Sequence, residues 1–170
     1  LPRLTVKVAA GSAITITDGT STITGTANTA GSFTTNLPRT GTWSVSATLN
    51  GESTDGSVNA ASLGGNYTIE LAYFAATLTV SAKAGTVVTA SCNGTTYSGT
   101  VASTGKATIT IKKAGTYTVT GVYSGVASNS ASVSVTTNGG SYTASLSFIT
   151  LTVTVDTGST ITVKNGSTTL

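Results

Sequence analysis

Asp18, Glu52, Asp55, Glu70 and Asp156 are all the carboxylates in this 170-residue chain, and it has no histidine. Five acids could hold a calcium ion only if several converged as oxygen ligands, and no Asp-x-Asp-x-Asp run gathers them. Asp18 reads instead as part of an Asp-Gly turn, and Asp156 as the turn before Gly158. Serines are plentiful, but without histidine the usual nucleophile lacks its general base. Cys92 is the single cysteine, so an internal disulfide is impossible. With no neighbouring His or Lys to lower its pKa, it reads as a small, half-buried residue. A Lys–Asn or Lys–Asp isopeptide crosslink needs a lysine beside the core. Lys7, flanked by Val6 and Val8, points the other way. These residues predict no catalytic centre, no metal site and no cofactor.

Charge is scarce altogether: 8% of residues are ionic, against about 25% in an average domain. The net charge of +3 and pI of about 9.1 reflect a shortage of acids rather than a basic patch, and Lys112-Lys113 is the one adjacent basic pair. Several positioned cations are needed to hold a phosphate backbone, so nucleic acid is excluded as a partner. No stretch approaches the roughly 20 apolar residues of a membrane helix, so membrane insertion is not expected. No signal peptide is visible and the chain opens at Leu1, so it reads as a mature or excised piece of something longer. Asn66, Asn93 and Asn165 head Asn-x-Ser/Thr sequons, which chance supplies readily in a chain that is about a quarter Thr. The remaining binding chemistry is carbohydrate recognition by exposed aromatics. Tyr97 and Tyr123 are the rings that alternation assigns least firmly to a core, and they are the glycan candidates.

The elements that must position these residues are set by a repeat. Leu4-Thr5-Val6 returns as Leu78-Thr79-Val80 and as Leu151-Thr152-Val153, at spacings of 74 and 73 residues. Gly11 to Gly19 matches Gly85 to Gly94 and Gly158 to Gly166. Gly41-Thr-Trp-Ser-Val-Ser matches Gly115-Thr-Tyr-Thr-Val-Thr. Gly64-Gly-Asn-Tyr-Thr-Ile-Glu-Leu-Ala-Tyr73 matches Gly139-Gly-Ser-Tyr-Thr-Ala-Ser-Leu-Ser-Phe148. The expected division is repeat 1 over 4–75, repeat 2 over 76–149 and the first two strands of a third over 150–170.

Period-two alternation and Asp-Gly, Asn-Gly and Gly-Gly turns make each repeat all-β. In repeat 1 the strands are expected near 4–9, 13–17, 21–27, 32–37, 41–49, 56–62 and 66–74. Trp43, Val45, Ala47 and Leu49 share one face, as do Tyr117, Val119, Gly121 and Tyr123, and Tyr67, Ile69, Leu71 and Tyr73. Repeat 2 carries an extra residue near Cys92 and another near Ser130, read as bulges or longer turns. Phe74, Ala75 and Ala76 form one junction, and Phe148 and Ile149 the next. No flexible linker intervenes at either, which predicts a stiff, rod-like array.

The motifs Gly-Ser-x-Ile/Val-Thr, Ala-Gly-Thr-Tyr (Thr-Gly-Thr-Trp in repeat 1) and Gly-Gly-x-Tyr resemble bacterial Ig-like repeats of the carboxypeptidase-regulatory-like (prealbumin-like) and PEGA-like kind. The resemblance spans nearly the whole chain. It implies tandem seven-stranded Ig-like β-sandwiches in an extracellular setting, on a phage virion or a bacterial cell surface. The implied function is a non-enzymatic structural spacer, with weak glycan contact at the host surface as an addition. Two alternatives stand beside it. One is a self-assembling fibre subunit that exchanges β-strands between copies. The other is a polysaccharide-binding accessory module of a secreted enzyme. Partners would then be neighbouring repeats, other copies of the chain, or cell-surface glycan.

Overall fold

The computed structural model describes residues 1–165 and 168–169, with side chains through 163. Seven strands come first: β1 (Arg3–Lys7), β2 (Ala13–Thr17), β3 (Thr22–Thr26), β4 (Ser32–Asn36), β5 (Gly41–Leu49), β6 (Glu52–Ala60) and β7 (Asn66–Glu70). They form two sheets, in the orders β4-β1-β7 and β3-β2-β5-β6. All neighbours are antiparallel except β1 and β7, which run parallel with Lys7 opposite Glu70. The chain then repeats the arrangement with β8 (Ala76–Ser81), β9 (Val87–Cys92), β10 (Thr95–Thr100), β11 (Lys106–Ile111), β12 (Gly115–Tyr123), β13 (Val126–Ala127), β14 (Ala131–Val135) and β15 (Ser141–Ser145). Here the orders are β11-β8-β15 and β10-β9-β12, with β13 and β14 sharing the outer edge of β12. The architecture is all-β and Ig-like.

Alternation decides which residues are buried. In β5, Trp43, Val45 and Ala47 are at most 1% exposed while the Ser and Thr between them face water. In β12, Tyr117 and Val119 take the same places. Each pair of sheets closes on its own apolar cluster: Leu4, Val6, Ile14, Ile16, Leu37 and Trp43 in the first, Leu78, Val80, Val88, Ile109, Ile111 and Tyr117 in the second. Burying one such side chain contributes about 1.5–3 kcal/mol, and the clusters supply the main drive to fold.

Two strand edges lie four residues from expectation, and one expected insertion is absent. β6 starts at Glu52, because Asn50 (φ 52°) and Gly51 (φ 81°) make a two-residue turn with both residues in the left-handed region, and the ladder resumes at once. β7 ends at Glu70, because its partner β1 ends at Lys7; the last bond is from Leu71 N–H to Lys7 O, 2.8 Å. The extra residue expected at Cys92 is no insertion. Thr17 pairs Thr22 in the first sandwich and Ser91 pairs Thr96 in the second, the same number of residues apart. The second hairpin adds a Cys92–Thr95 pair and a tighter Asn93-Gly94 turn. Near Ser130 a bulge is real: pairing shifts by one residue between Ala127 and Ala131, with Ser128 Oγ accepting the Gly121 N–H at 2.8 Å.

Residues 150–163 contain no strand; among the described residues β16 (Lys164–Asn165) and β17 (Thr168–Thr169) pair with each other and with no other strand. Of the two strands expected over 150–170, the described residues form none before Lys164, and residues 166, 167 and 170 lie outside the described residues. In the sandwiches, β1 and β8 each lie between two neighbours, and no described strand flanks residues 151–155. The turn that follows is nonetheless kept: Gly158 has φ 88° and Ser159 N–H donates to Asp156 O, as Ser12 does to Ala9 O and Thr86 to Lys83 O.

Candidate functional site

The five carboxylates do not converge. Asp18 Oδ1 accepts the N–H groups of Thr20 and Ser21, and Arg39 Nε lies 2.5 Å from Oδ2. The Arg39 guanidinium, aided by these N–H donors, holds the Asp18 carboxyl far below the usual carboxylate range. Glu70 pairs with Lys7 at 2.9 Å across the parallel β1–β7 ladder, on the outer face. Lys7 thus points to solvent, as the sequence suggested, with an exposed acid rather than a core Asn or Asp beside it. Among the described residues no three of Cys, Asp and Glu gather at one point.

Cys92 is half-buried against the second core, and its sulfur occupies the space above Gly115, where an added Cβ would lie 2.8 Å away. Asn66 and Asn93 are exposed; the side chain of Asn165 lies outside the described residues. The Gly-Gly-x-Tyr motif is a structural corner. Tyr67 folds back over Gly65, where a Cβ would sit 2.7 Å from its hydroxyl, and accepts the Ser62 N–H at 2.8 Å. Tyr142 repeats this, accepting the N–H groups of Thr136 and Thr137, both at 2.9 Å. Hydrogen bonds from Thr136 and Thr137 lower the Tyr142 phenol to about 8.

The two glycan candidates sit apart. Tyr123 ends β12 at the far side of the second sandwich, where Lys83 Nζ lies 4.1 Å from its ring centroid and Phe148 packs edge-on at 6.1 Å. One face is capped by an ammonium and an edge by an aromatic, so Tyr123 is no open platform. Tyr97 is on β10, tilted against Tyr117 at 5.9 Å, at the opposite end of that sandwich.

There Tyr97 belongs to a recess formed where the two sandwiches meet. The β5–β6 turn of the first brings Glu52 against Lys112 in the β11–β12 connection of the second, with Nζ 2.7 Å from Oε1. The Glu52 carboxylate raises the Lys112 ammonium above its ordinary value. Phe74 crosses from one sandwich and packs against the core of the other. Ala75 is fastened at both backbone atoms: its N–H donates to Asn138 Oδ1 at 2.8 Å and its carbonyl accepts Gly139 N–H at 2.7 Å. Ala76, 3% exposed, already begins β8. The recess left between these contacts has a volume of about 620 Å³ and is lined by Glu52, Ser53, Phe74, Tyr97, Lys112 and Lys113. At the other junction Phe148 is half-buried, whereas Ile149 is 95% exposed. Asn129, the bulge residue, holds that exit strand by accepting Ser147 N–H at 2.8 Å and donating to Ser147 O at 3.0 Å.

Sequence reasoning named Tyr97 and Phe74 but missed Glu52 and Lys112 as partners. They are 60 residues apart, and no local pattern couples them. The adjacent Lys112-Lys113 pair was the one available signal.

No protein-family model and no curated protein matches the sequence. Among solved structures, the chain is similar to GBS52, the minor pilin of Streptococcus agalactiae, at 13% identity and a TM-score of 0.46, covering 92% of this chain and 100% of that one. It is similar to the shaft pilin SpaA of Lactobacillus rhamnosus GG, at 14% identity and a TM-score of 0.41, covering 88% and 98%. A third likeness is the Bacillus anthracis TIE protein, at 14% identity and a TM-score of 0.40; it covers 84% of this chain, which spans only 33% of that protein's length. These likenesses lie at the level of the β architecture and assign no activity.

Proposed function

We propose that the chain is a non-enzymatic, load-transmitting section of an extracellular appendage, built from two Ig-like units (residues 4–75 and 76–149) and the start of a third. A bacterial surface fibre and a phage tail or fibre both fit this role. The observation that carries the reading is the fastened joint. Only residues 71–75 separate β7 from β8, and within them Leu71 bonds Lys7, Phe74 packs on the second core, and Ala75 bonds Asn138 and Gly139. A passive tether needs none of these contacts. A section that keeps its neighbours at a fixed angle needs several. The low surface charge and the Ser and Thr covering the outer faces suit a spacer that ignores most passing macromolecules.

A second reading, assembly by strand exchange, is favoured by one feature. Leu151, Val153 and Val155 are 65%, 45% and 47% exposed, whereas their counterparts Leu4, Val6 and Val8 are at most 6% exposed. An exposed alternating apolar segment recruits another strand. Negative-stain microscopy and sizing at increasing concentration separate the two. Elongated monomers at every concentration support the spacer. Oligomers that vanish on deletion of residues 150–170 support strand exchange, and compact folded-back particles contradict both.

A further inference from the structure

We propose that the recess at the joint binds an acidic oligosaccharide, a short run of carboxylated pyranose units. The proposal deepens the appendage reading by giving it a ligand class and a site. Recesses between two packed bodies are where small ligands are held, because both walls remove water from the guest at once. Its chemistry is mixed in a particular way. Phe74 and Tyr97 are half-buried, so each offers part of a ring, and the apolar C–H face of a pyranose packs on such a surface.

The polar groups set the sign of the guest. Two ammonium groups and one carboxylate line the recess, and Lys112 is already matched to Glu52 at 2.7 Å. Lys113 makes no ion pair among the described residues, and its backbone carbonyl is occupied by the Tyr117 hydroxyl at 2.8 Å. That leaves the Lys113 ammonium as one unmatched positive charge, which suits one sugar carboxylate. Ser53 of the first sandwich also lines the recess, on the wall facing Lys113. A neutral sugar would use the rings and leave Lys113 unmatched. A nucleic acid would need several further cations, and the wall offers none.

The test is an NMR titration of the whole chain with trigalacturonate, using maltotriose as the uncharged comparison. The expected result is saturable binding of trigalacturonate, with shifts concentrated at Ser53, Tyr97 and Lys113, and weaker binding of maltotriose. Lys113→Gln, a surface change outside both cores, should weaken trigalacturonate about tenfold and remove most of the salt dependence. Absence of saturable binding, shifts centred elsewhere, or full binding by Lys113→Gln would each overturn the proposal. Microscopy reads the appendage role without any saccharide, so the failure of one is distinguishable from the failure of the other.

Discussion

Lys112 of the second sandwich holds Glu52 of the first at 2.7 Å, and this pair lines the same recess as Phe74 of the chain crossing. The crossing supplies one line of attachment through Phe74 and Ala75; the ion pair supplies another. A second attachment beside the covalent crossing resists bending more than the crossing alone. The Lys112 side chain is 54% exposed and that of Glu52 31%, and ion pairs near the surface contribute little to stability, so the pair bears more on orientation than on folding. Replacing Glu52 by Gln should leave the melting temperature nearly unchanged while loosening the angle between the sandwiches. Fluorescence energy transfer between dyes placed on the two sandwiches should show a broader distance distribution in the variant, and a similar broadening for the original chain in high salt.

Gly25 in β3 lies beneath the ring of Phe33, and an added Cβ would sit 2.1 Å from Phe33 Cε2. Gly25→Ala should cost about 1–3 kcal/mol, because the ring must leave its place against the first core. Combining it with Phe33→Ala should recover part of that cost. Chemical denaturation of the four chains in the cycle would show the coupling, and purely additive costs would rule it out.

Trp43 is fully buried and is the chain's one tryptophan. Its Nε1–H has no hydrogen-bond partner among the described residues, whereas Tyr117 at the matching position donates to Lys113 O. Trp43→Phe should therefore cost less than a typical buried-tryptophan truncation, since no hydrogen bond is lost. Trp43→Ala should cost about 3–5 kcal/mol. Denaturant unfolding followed by circular dichroism separates the two values.

Acid should release Asp18. Its carboxyl is held low by Arg39, so the pair's contribution is fully present above the ordinary carboxylate pKa and is lost as pH falls toward the folded-state value. Asp18→Asn should destabilise the chain near neutrality, with the difference shrinking steadily below about pH 4. Melting temperatures measured across that range give the profile. A difference independent of pH would contradict the assignment.

The tyrosines should ionise in a set order. Tyr142, lowered to about 8 by hydrogen bonds from Thr136 and Thr137, comes off early, and Tyr117, raised to about 12 by burial, comes off late. For Tyr142 the folded state favours the phenolate, so its contribution to stability appears between pH 8 and 10 and is absent below the folded value. For Tyr117 the folded state favours the phenol, so stability is lost as pH rises from 10 through about 12. Phenolate absorbance should show an early step that Tyr142→Phe removes.

Much of the fold was legible because alternation and turn chemistry are local. The face shared by Trp43, Val45 and Ala47 follows from period two alone, and Asn50-Gly51 announces its turn. The bulge near Ser130 was visible as a mismatch between copies, but its use was not: Asn129 reaches Ser147, which only the folded sheet brings near. Cys92 misled because a tighter turn with one more ladder pair looks like an insertion when two sequences are laid side by side. The candidate site was half legible. Tyr97 and Phe74 were marked by their type, whereas Glu52 was considered only as a calcium ligand and Lys112 only as too small a basic patch. What joins them is the packing of one sandwich on the next, which no spacing within the chain encodes.

The most direct test of the central claim, that the joint holds two sandwiches at a fixed angle, is residual dipolar coupling of backbone amides in weak alignment. Amides of β1–β7 and of β8–β15 should fit one common alignment tensor of the same magnitude and orientation. Two tensors of clearly different magnitude would show the sandwiches moving independently, and the load-transmitting account would be wrong.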